Sequence, residues 1–355
     1  MSKQPTIGVL AFGAAAMLAR LSAAQVIDAY YAADYTYTDL GSIPDVPSQY
    51  GGLCTLLGDS NVLLIGGSAN TAAGAIHSVR LVRDANRHII GFDGGATVFC
   101  EAAYNDGGLN YGPDGVLFAS RWPVNQLGQI RPGSVVTDKV IDLTPWGVEG
   151  SNASLNFIPP GFPGAGRMKI ASWSGGQWGE LSLAPDGLGT FDVTAFTEVP
   201  SSRLPGGPEG FAYVPIDSPL FPAPSMILSE YSVGQVSVFE LDAQGDPIIA
   251  SRRLFMSGLF GAEGAFIDRP TGDFVFSTFG GGSRVIVVRG FSVPPPICPT
   301  CAADFNEDGG IDGSDVAAFF DAWERGESCG DVNLDGGIDG TDVGAFFEVW
   351  ESGGC

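Results

Sequence analysis

The chain has only two histidines, His77 and His88, in 355 residues, and seventeen Lys and Arg against forty Asp and Glu. No basic cluster offsets the formal charge of −23. Nucleic acid and anionic membrane surfaces both reward Lys and Arg, so they are poor partners. No HExxH, GxSxG or Walker sequence occurs, which removes the commonest signatures of zinc peptidases, serine hydrolases and nucleotide binders. His88 follows Asn86-Arg87 in a turn-like stretch and reads as a surface residue. After the first 24 residues no apolar run approaches the roughly 20 residues that cross a bilayer.

What is present is apolar enough to fold, with 45% hydrophobic residues, and rich in Gly (52) and Pro (24). That balance predicts many short strands joined by tight turns rather than long helices. Lys3, the apolar stretch 7–19 and Ser22-Ala23-Ala24 before Gln25 have the order of a secretory leader, residues 1–24. Secretion makes disulfides the natural reading of the cysteines. Cys298 and Cys301 form a C-P-T-C pair, but zinc would need more ligands than the nearby Cys329 and Cys355. A redox pair should open a helix, and this one follows the stiff run Val293-Pro294-Pro295-Pro296. Four cysteines allow three pairings, and the sequence alone does not choose among them. Cys54 and Cys100 form a separate bridge or remain buried thiols. The Pro-rich stretch, residues 293–302, divides a long region (25–292) from an acidic tail module (303–355).

The long region carries a weak internal repeat. A Gly-rich lead holding Asn or Glu is followed by a short apolar strand, a polar turn and a second strand. With Ile65, Phe118, Ile170, Leu228 and Phe276 as anchors the steps are 53, 52, 58 and 48 residues. Self-similarity near this period, with four strands per unit, predicts a mainly β fold, a β-propeller of five or six blades. The segment around Tyr35-Thr36-Tyr37 reads as an outer strand able to pair with the last blade and close the ring. A β-sandwich is the alternative. Four leads carry Asn110, Asn156, Glu209 and Glu263. Read as equivalent positions, they form an oxygen-rich ring at the axis suited to a hard metal, with Glu230 as a fifth ligand or general base; the alternative, and the favoured one, is that they hydrogen-bond neighbouring blades.

The tail module is more specific. From residue 298 onward fourteen acids face one basic residue, Arg325, so thirteen of the 23 net negative charges fall in the last 58 residues. Two segments match position by position: Asp304, Asn306, Asp308, Gly310, Asp312, Asp315 and Asp331, Asn333, Asp335, Gly337, Asp339, Asp342. Side-chain oxygens at positions 1, 3, 5, 9 and 12, with a backbone carbonyl at 7, follow the calcium-loop order of an EF-hand. Gly309 and Gly336 permit the sharp turn at position 6, and Ile311 and Ile338 at position 8 are placed to pair the loops. Each loop is followed by one short helix, 316–323 and 343–350, with little room for a helix before it. Without a divalent cation, four Asp and one Asn per loop would repel.

Position 12 is Asp, and the incoming helix is missing. With these departures the module resembles the bacterial dockerins over about 52 residues, in particular the cysteine-containing dockerins at the C-termini of secreted proteins of planctomycete-like bacteria. The resemblance implies two bound Ca²⁺ ions. It implies a cohesin-like or cell-surface anchoring partner met through Gly313-Ser314, Phe319, Phe320 and Gly340-Thr341, Phe346, Phe347. The same aromatics are what a small core needs. A surface sorting or retention signal is the rival role. Because duplicated dockerins bring their two ends together, the resemblance also implies Cys301–Cys329 with Cys298–Cys355. In its order of lead, strand, Gly and strand, the long region is similar to NHL and SMP-30/gluconolactonase-like propellers, in which an axial metal polarises the substrate carbonyl. Two functions follow. One is a secreted or surface-anchored propeller that binds a glycan or protein and is displayed through its dockerin. The other is a metal-dependent hydrolase or lyase of the same fold. The first is favoured because no convincing base and nucleophile accompany the axial acids.

Overall fold

The computed structural model describes residues 25–294, 298–299, 301–306, 310–324, 328–333 and 337–353. The expected leader, Asp308, Asp335 and Cys355 lie outside the described residues.

Alternating apolar positions and frequent Gly-bearing turns give twenty-one strands among these residues. Two precede the first complete sheet, β1 (Val26–Ile27) and β2 (Thr36–Gly41). Blade 1 is β3 (Leu53–Leu56), β4 (Asp59–Gly67), β5 (Ala75–Arg83) and β6 (Ile89–Glu101). Blade 2 is β7 (Asn105–Tyr111), β8 (Leu117–Arg121), β9 (Gln126–Ile130) and β10 (Lys139–Asp142). Blade 3 is β11 (Asn152–Phe157), β12 (Met168–Ser172), β13 (Trp178–Pro185) and β14 (Phe191–Glu198). Blade 4 is β15 (Pro208–Tyr213), β16 (Ser225–Glu230), β17 (Gln235–Glu240) and β18 (Arg253–Ser257), with β1 added at its outer edge. Blade 5 is β19 (Ala262–Ile267), β20 (Phe274–Thr278) and β21 (Val285–Arg289), completed by β2. Five antiparallel sheets make a five-bladed propeller, not a sandwich of two.

The ring closes as the sequence suggests. β2 pairs with β21 from Thr36↔Arg289 to Gly41↔Val285, so the last blade is built from both ends of the domain. Five hydrophobic clusters fill the five blade interfaces. The largest joins blades 4 and 5 and locks the closure with Tyr31, Tyr35, Phe255 and Phe291. Outer hairpins are set by one device used in three blades. Asp84, Asp186 and Asp242 each cap the turn between the third and fourth strands by accepting two backbone N–H groups. An Asp side chain bonding to the chain just ahead of it is a turn former in its own right.

Two expectations are corrected here. The strand anchor of blade 2 is Ala119, which pairs with Leu109 as Ile170 does with Leu155; Phe118 is one residue out of register. His88 is not a free surface residue. It is half-buried, with Nδ1 2.8 Å from an Asp273 oxygen, next to Arg83, which donates two 2.8 Å hydrogen bonds to Asp268. Both pairs tie blade 1 to blade 5.

The tail module has two helices, α1 (Gly313–Glu324) and α2 (Gly340–Ser352), longer at both ends than the sequence predicted. Phe319 and Phe346 are fully buried and stack at 4.2 Å with their rings 3° from parallel. They are core, while Phe320 and Phe347 remain half-buried. Cys298 is bonded to Cys329, which overturns both expected pairs, Cys301–Cys329 and Cys298–Cys355; Cys301 is also in a disulfide. Cys54 and Cys100 are free, buried thiols on the first and fourth strands of blade 1, and burial pushes Cys100 up to about 12. Among the described residues no helix is long and apolar enough to cross a membrane.

Candidate functional site

The first strand of each blade lies nearest the axis. In blades 4 and 5 it opens with Glu-Gly, and the pairing with the second strand slips at that point, between Pro208 and Phe211 and between Ala262 and Ala265. Such a bulge re-aims a side chain that regular alternation would send elsewhere. The glycine is required by close approach. A Cβ on Gly210 would lie 2.4 Å from the Ala265 nitrogen, and one on Gly264 would lie 2.6 Å from the Gly52 Cα. The first strands therefore meet backbone to backbone, and the Glu before each Gly turns inward.

Blade 2 slips in the same way, between Asn105 and Leu109. Its acid is Asp106, one residue earlier than the two glutamates. Asp106, Glu209 and Glu263 each place a carboxylate oxygen within 4.8 Å of the others, and all three are buried. Among the described residues, both oxygens of Asp106, both of Glu263 and Oε2 of Glu209 lack a hydrogen-bond partner. Asn152, which occupies the position of Asp106 in blade 3, is also buried with both side-chain polar atoms unpartnered. Burial pushes Asp106 up to about 7. Glu209 and Glu263 are raised well above the ordinary glutamate range, first by burial and then by the neighbouring acids.

Uncompensated buried carboxylates are costly. Oxygens across a calcium ion stand roughly 4.6–5.2 Å apart, given bonds of about 2.3–2.6 Å. A spacing within 4.8 Å therefore lets one hard divalent cation touch all three acids.

The structure brings together only two of the five residues expected at the axis. Asn110 and Asn156 lie further along their strands than the glutamates do along theirs. Asn110 Nδ2 donates to Asn156 Oδ1 at 2.5 Å, and Asn156 Nδ2 donates to the Phe211 carbonyl at 2.8 Å, so they clamp blades 2, 3 and 4. Glu230 is fully buried and fully engaged. It accepts Arg252 Nε at 2.8 Å, Arg252 Nη2, and Ser237 Oγ at 2.9 Å, and it is not among the three acids grouped at the axis. Asp106 was missed because Asn110 was aligned through Phe118. The signal was there: Asp106 stands directly before Gly107-Gly108, the lead of its own blade.

Near the acids, four blades follow the last residue of their second strand with an aromatic residue: Trp122, Trp173, Tyr231 and Phe279. Successive centroids are 6.2, 6.4 and 5.9 Å apart, with planes at 72°, 77° and 74°. Blade 1 has Ser68 at this position. A Cβ on Gly207, two residues before Glu209, would meet the Trp173 indole nitrogen at 2.9 Å; one on Gly261, two before Glu263, would meet the Tyr231 ring at 2.7 Å. The rings thus form a collar around the mouth over the acids. Burial, and then the charges of Glu263, Glu209 and Asp106, raise the Tyr231 hydroxyl. Between blades 2 and 3 the collar opens into a depression of about 700 Å³ walled by Trp122 and Trp173.

The two tail loops fold alike. Asp315 accepts the N–H groups of Asn306 (3.1 Å) and Asp312 (2.8 Å); Asp342 accepts those of Asn333 (3.2 Å) and Asp339 (2.8 Å). Asp312 and Asp339, held below the ordinary Asp range by the N–H groups of Ser314 and Thr341, cap the two helices. Trp323 Nε1 donates to the Asp339 carbonyl and Trp350 Nε1 to that of Asp312, so each helix braces the other loop. Asp304, Asn306, Gly310, Asp312 and Asp315, and in the second loop Asp331, Asn333, Gly337, Asp339 and Asp342, could hold a cation apiece.

No protein-family model matches the chain, and no curated protein matches it in sequence. Solved structures resemble it at low identity. The pyranose dehydrogenase PQQ domain from Coprinopsis cinerea is 8% identical over 75% of this chain and 97% of its own, with a TM-score of 0.42. An auxiliary nutrient binding protein from Bacteroides thetaiotaomicron is 13% identical over 71% and 61%, at 0.42. A glucose dehydrogenase is 17% identical over 69% and 84%, at 0.38. These TM-scores lie below one half, and no activity is carried over from those proteins.

Proposed function

We propose that this is an exported binding protein, a five-bladed propeller that takes a glycan or protein ligand and is retained by a calcium-dependent tail module. The observation that supports docking most strongly is the duplication. Two loops with the same oxygen spacing share one hydrogen-bond scheme around Asp315 and Asp342. Loops that alternate oxygen ligands with spacers and start a helix are what Ca²⁺ requires. The partner on this reading is a cohesin-like or surface-anchoring protein that meets the exposed helix starts. The Cys298–Cys329 disulfide supports an oxidising compartment.

A second reading rests on the axial acids. Asp106, Glu209 and Glu263 would hold a hard divalent cation, which supplies Lewis acidity to an oxygen arriving through the mouth. Glu230 is taken by Arg252 and Ser237, so a base for a hydrolase or lyase is wanting among the expected residues.

Metal analysis of the full chain after equilibration in calcium separates the two. Asp304→Ala with Asp331→Ala should remove the tail ions alone, and Glu209→Gln with Glu263→Gln the axial ion alone. A chain that retains no calcium after desalting would refute the docking reading.

A further inference from the structure

The aromatic collar belongs to none of the five hydrophobic cores. Trp122, Trp173, Tyr231 and Phe279 are each only half-buried, yet all four stand at the same place in consecutive blades. Blade 1 closes its interfaces with Ser68 there, so the position does not need a ring for the fold. At one end of this arc lies the roughly 700 Å³ depression, large enough for several linked rings of a small ligand. Trp122 and Trp173 wall it, nearly perpendicular to each other. Asn125, Glu149, Ser151 and Ser174 also line it; the Asn125 amide is bonded to Thr144, Val148 and Asn152, which leaves the Ser151 and Ser174 hydroxyls and the Glu149 carboxylate to face a ligand.

That lining selects chemistry. No Lys or Arg lines the depression, and the single charged lining residue is Glu149, beneath a chain of net charge −23. Anionic ligands are disfavoured. A wholly apolar ligand would strand the serine hydroxyls and the Glu149 carboxylate against it. A sugar ring has apolar C–H faces and hydroxyl edges, and it matches aromatic walls beside hydroxyl and carboxylate groups. We infer that this face binds a neutral carbohydrate chain, seated between blades 2 and 3 with sugar faces on Trp122 and Trp173 and hydroxyls directed to Glu149, Ser151 and Ser174. The inference rests on the reading of the propeller as a binding domain. It narrows the ligand from glycan or protein to glycan, and it places the chain end beside the axial acids under Trp173 and Tyr231.

The test uses the full-length oxidised protein with cellohexaose, xylohexaose and chitohexaose, followed by tryptophan fluorescence and titration calorimetry. At least one sugar should bind saturably and shift the fluorescence. Trp173→Ala should weaken that binding tenfold or more. Trp173→Phe keeps a ring and should bind within about threefold of the parent, with most of the fluorescence change gone. If Trp173→Ala does not fold, the Trp173→Phe fluorescence difference still decides. Failure of all three sugars to bind overturns the inference, and so does binding that leaves fluorescence unchanged in both parent and Trp173→Phe. A chain whose tail module melts on chelation but which binds none of the sugars loses this inference and keeps the docking reading.

Discussion

Asp106, Glu209 and Glu263 set the chemistry at the smallest scale. In the unfolded chain each titrates near 4; in the fold Asp106 is pushed up to about 7 and the glutamates rise well above their ordinary range. Between those limits the folded state binds more protons than the unfolded one, so stability falls as pH rises. In chelator, the melting temperature of the propeller should therefore drop from pH 4.5 to pH 8. A divalent cation favours the deprotonated acids, so saturating calcium should flatten or reverse that slope. Thermal scans across pH with and without metal check both signs. A second prediction separates site from scaffold. Glu209→Gln with Glu263→Gln removes buried charge that no cation balances. It should raise the melting temperature in chelator at pH 7.5 by about 3–8 °C while abolishing axial metal binding. A drop instead would mean that the two carboxylates stabilise the apo fold.

At the scale of elements, the Glu-Gly bulge is the joint that makes a propeller axis from ordinary strands. Gly264→Ala puts a methyl group 2.6 Å from the Gly52 Cα, a backbone contact that cannot rotate away. It should cost about 1–3 kcal/mol, read as a lowered denaturation midpoint of the propeller with the tail module unchanged. The period, the alternation and the closing strand β2 were legible in the sequence because blades repeat their turns and β2 keeps the apolar rhythm of an outer strand. The axial site was only partly legible. Glu209 and Glu263 advertise themselves by the glycine that follows. Asp106 also stands before glycines, but it sits one residue out of phase because the slip in β7, between Asn105 and Leu109, spans one residue more than those in blades 4 and 5. Glu230 looked available because its partner Arg252 lies just before β18, 22 residues away. The collar went unread since each of its residues looks like an ordinary strand-end aromatic; only the ring geometry joins them. In the tail, the loops were legible from their duplication, whereas the bond between Cys298 and Cys329 depends on how the module folds back on itself.

Across the whole molecule, charge is divided unequally. Thirteen of the 23 net negative charges lie in the last 58 residues, where the buried core of the described residues is small: Ala303, Phe319, Ala322, Cys329 and Phe346. A core of that size is marginal by itself, and metal binding then becomes part of the folding free energy. The propeller carries a closed ring and five apolar interfaces, none of which includes a residue of those loops. The measurement that tests this division most directly is scanning calorimetry of the full oxidised chain in calcium and in excess chelator, beside Asp304→Ala with Asp331→Ala. The account predicts that chelation removes or sharply lowers one small transition, that the double variant in calcium behaves like the chelated parent, and that the large propeller transition persists. A thermogram indifferent to chelator and to both substitutions would contradict the account.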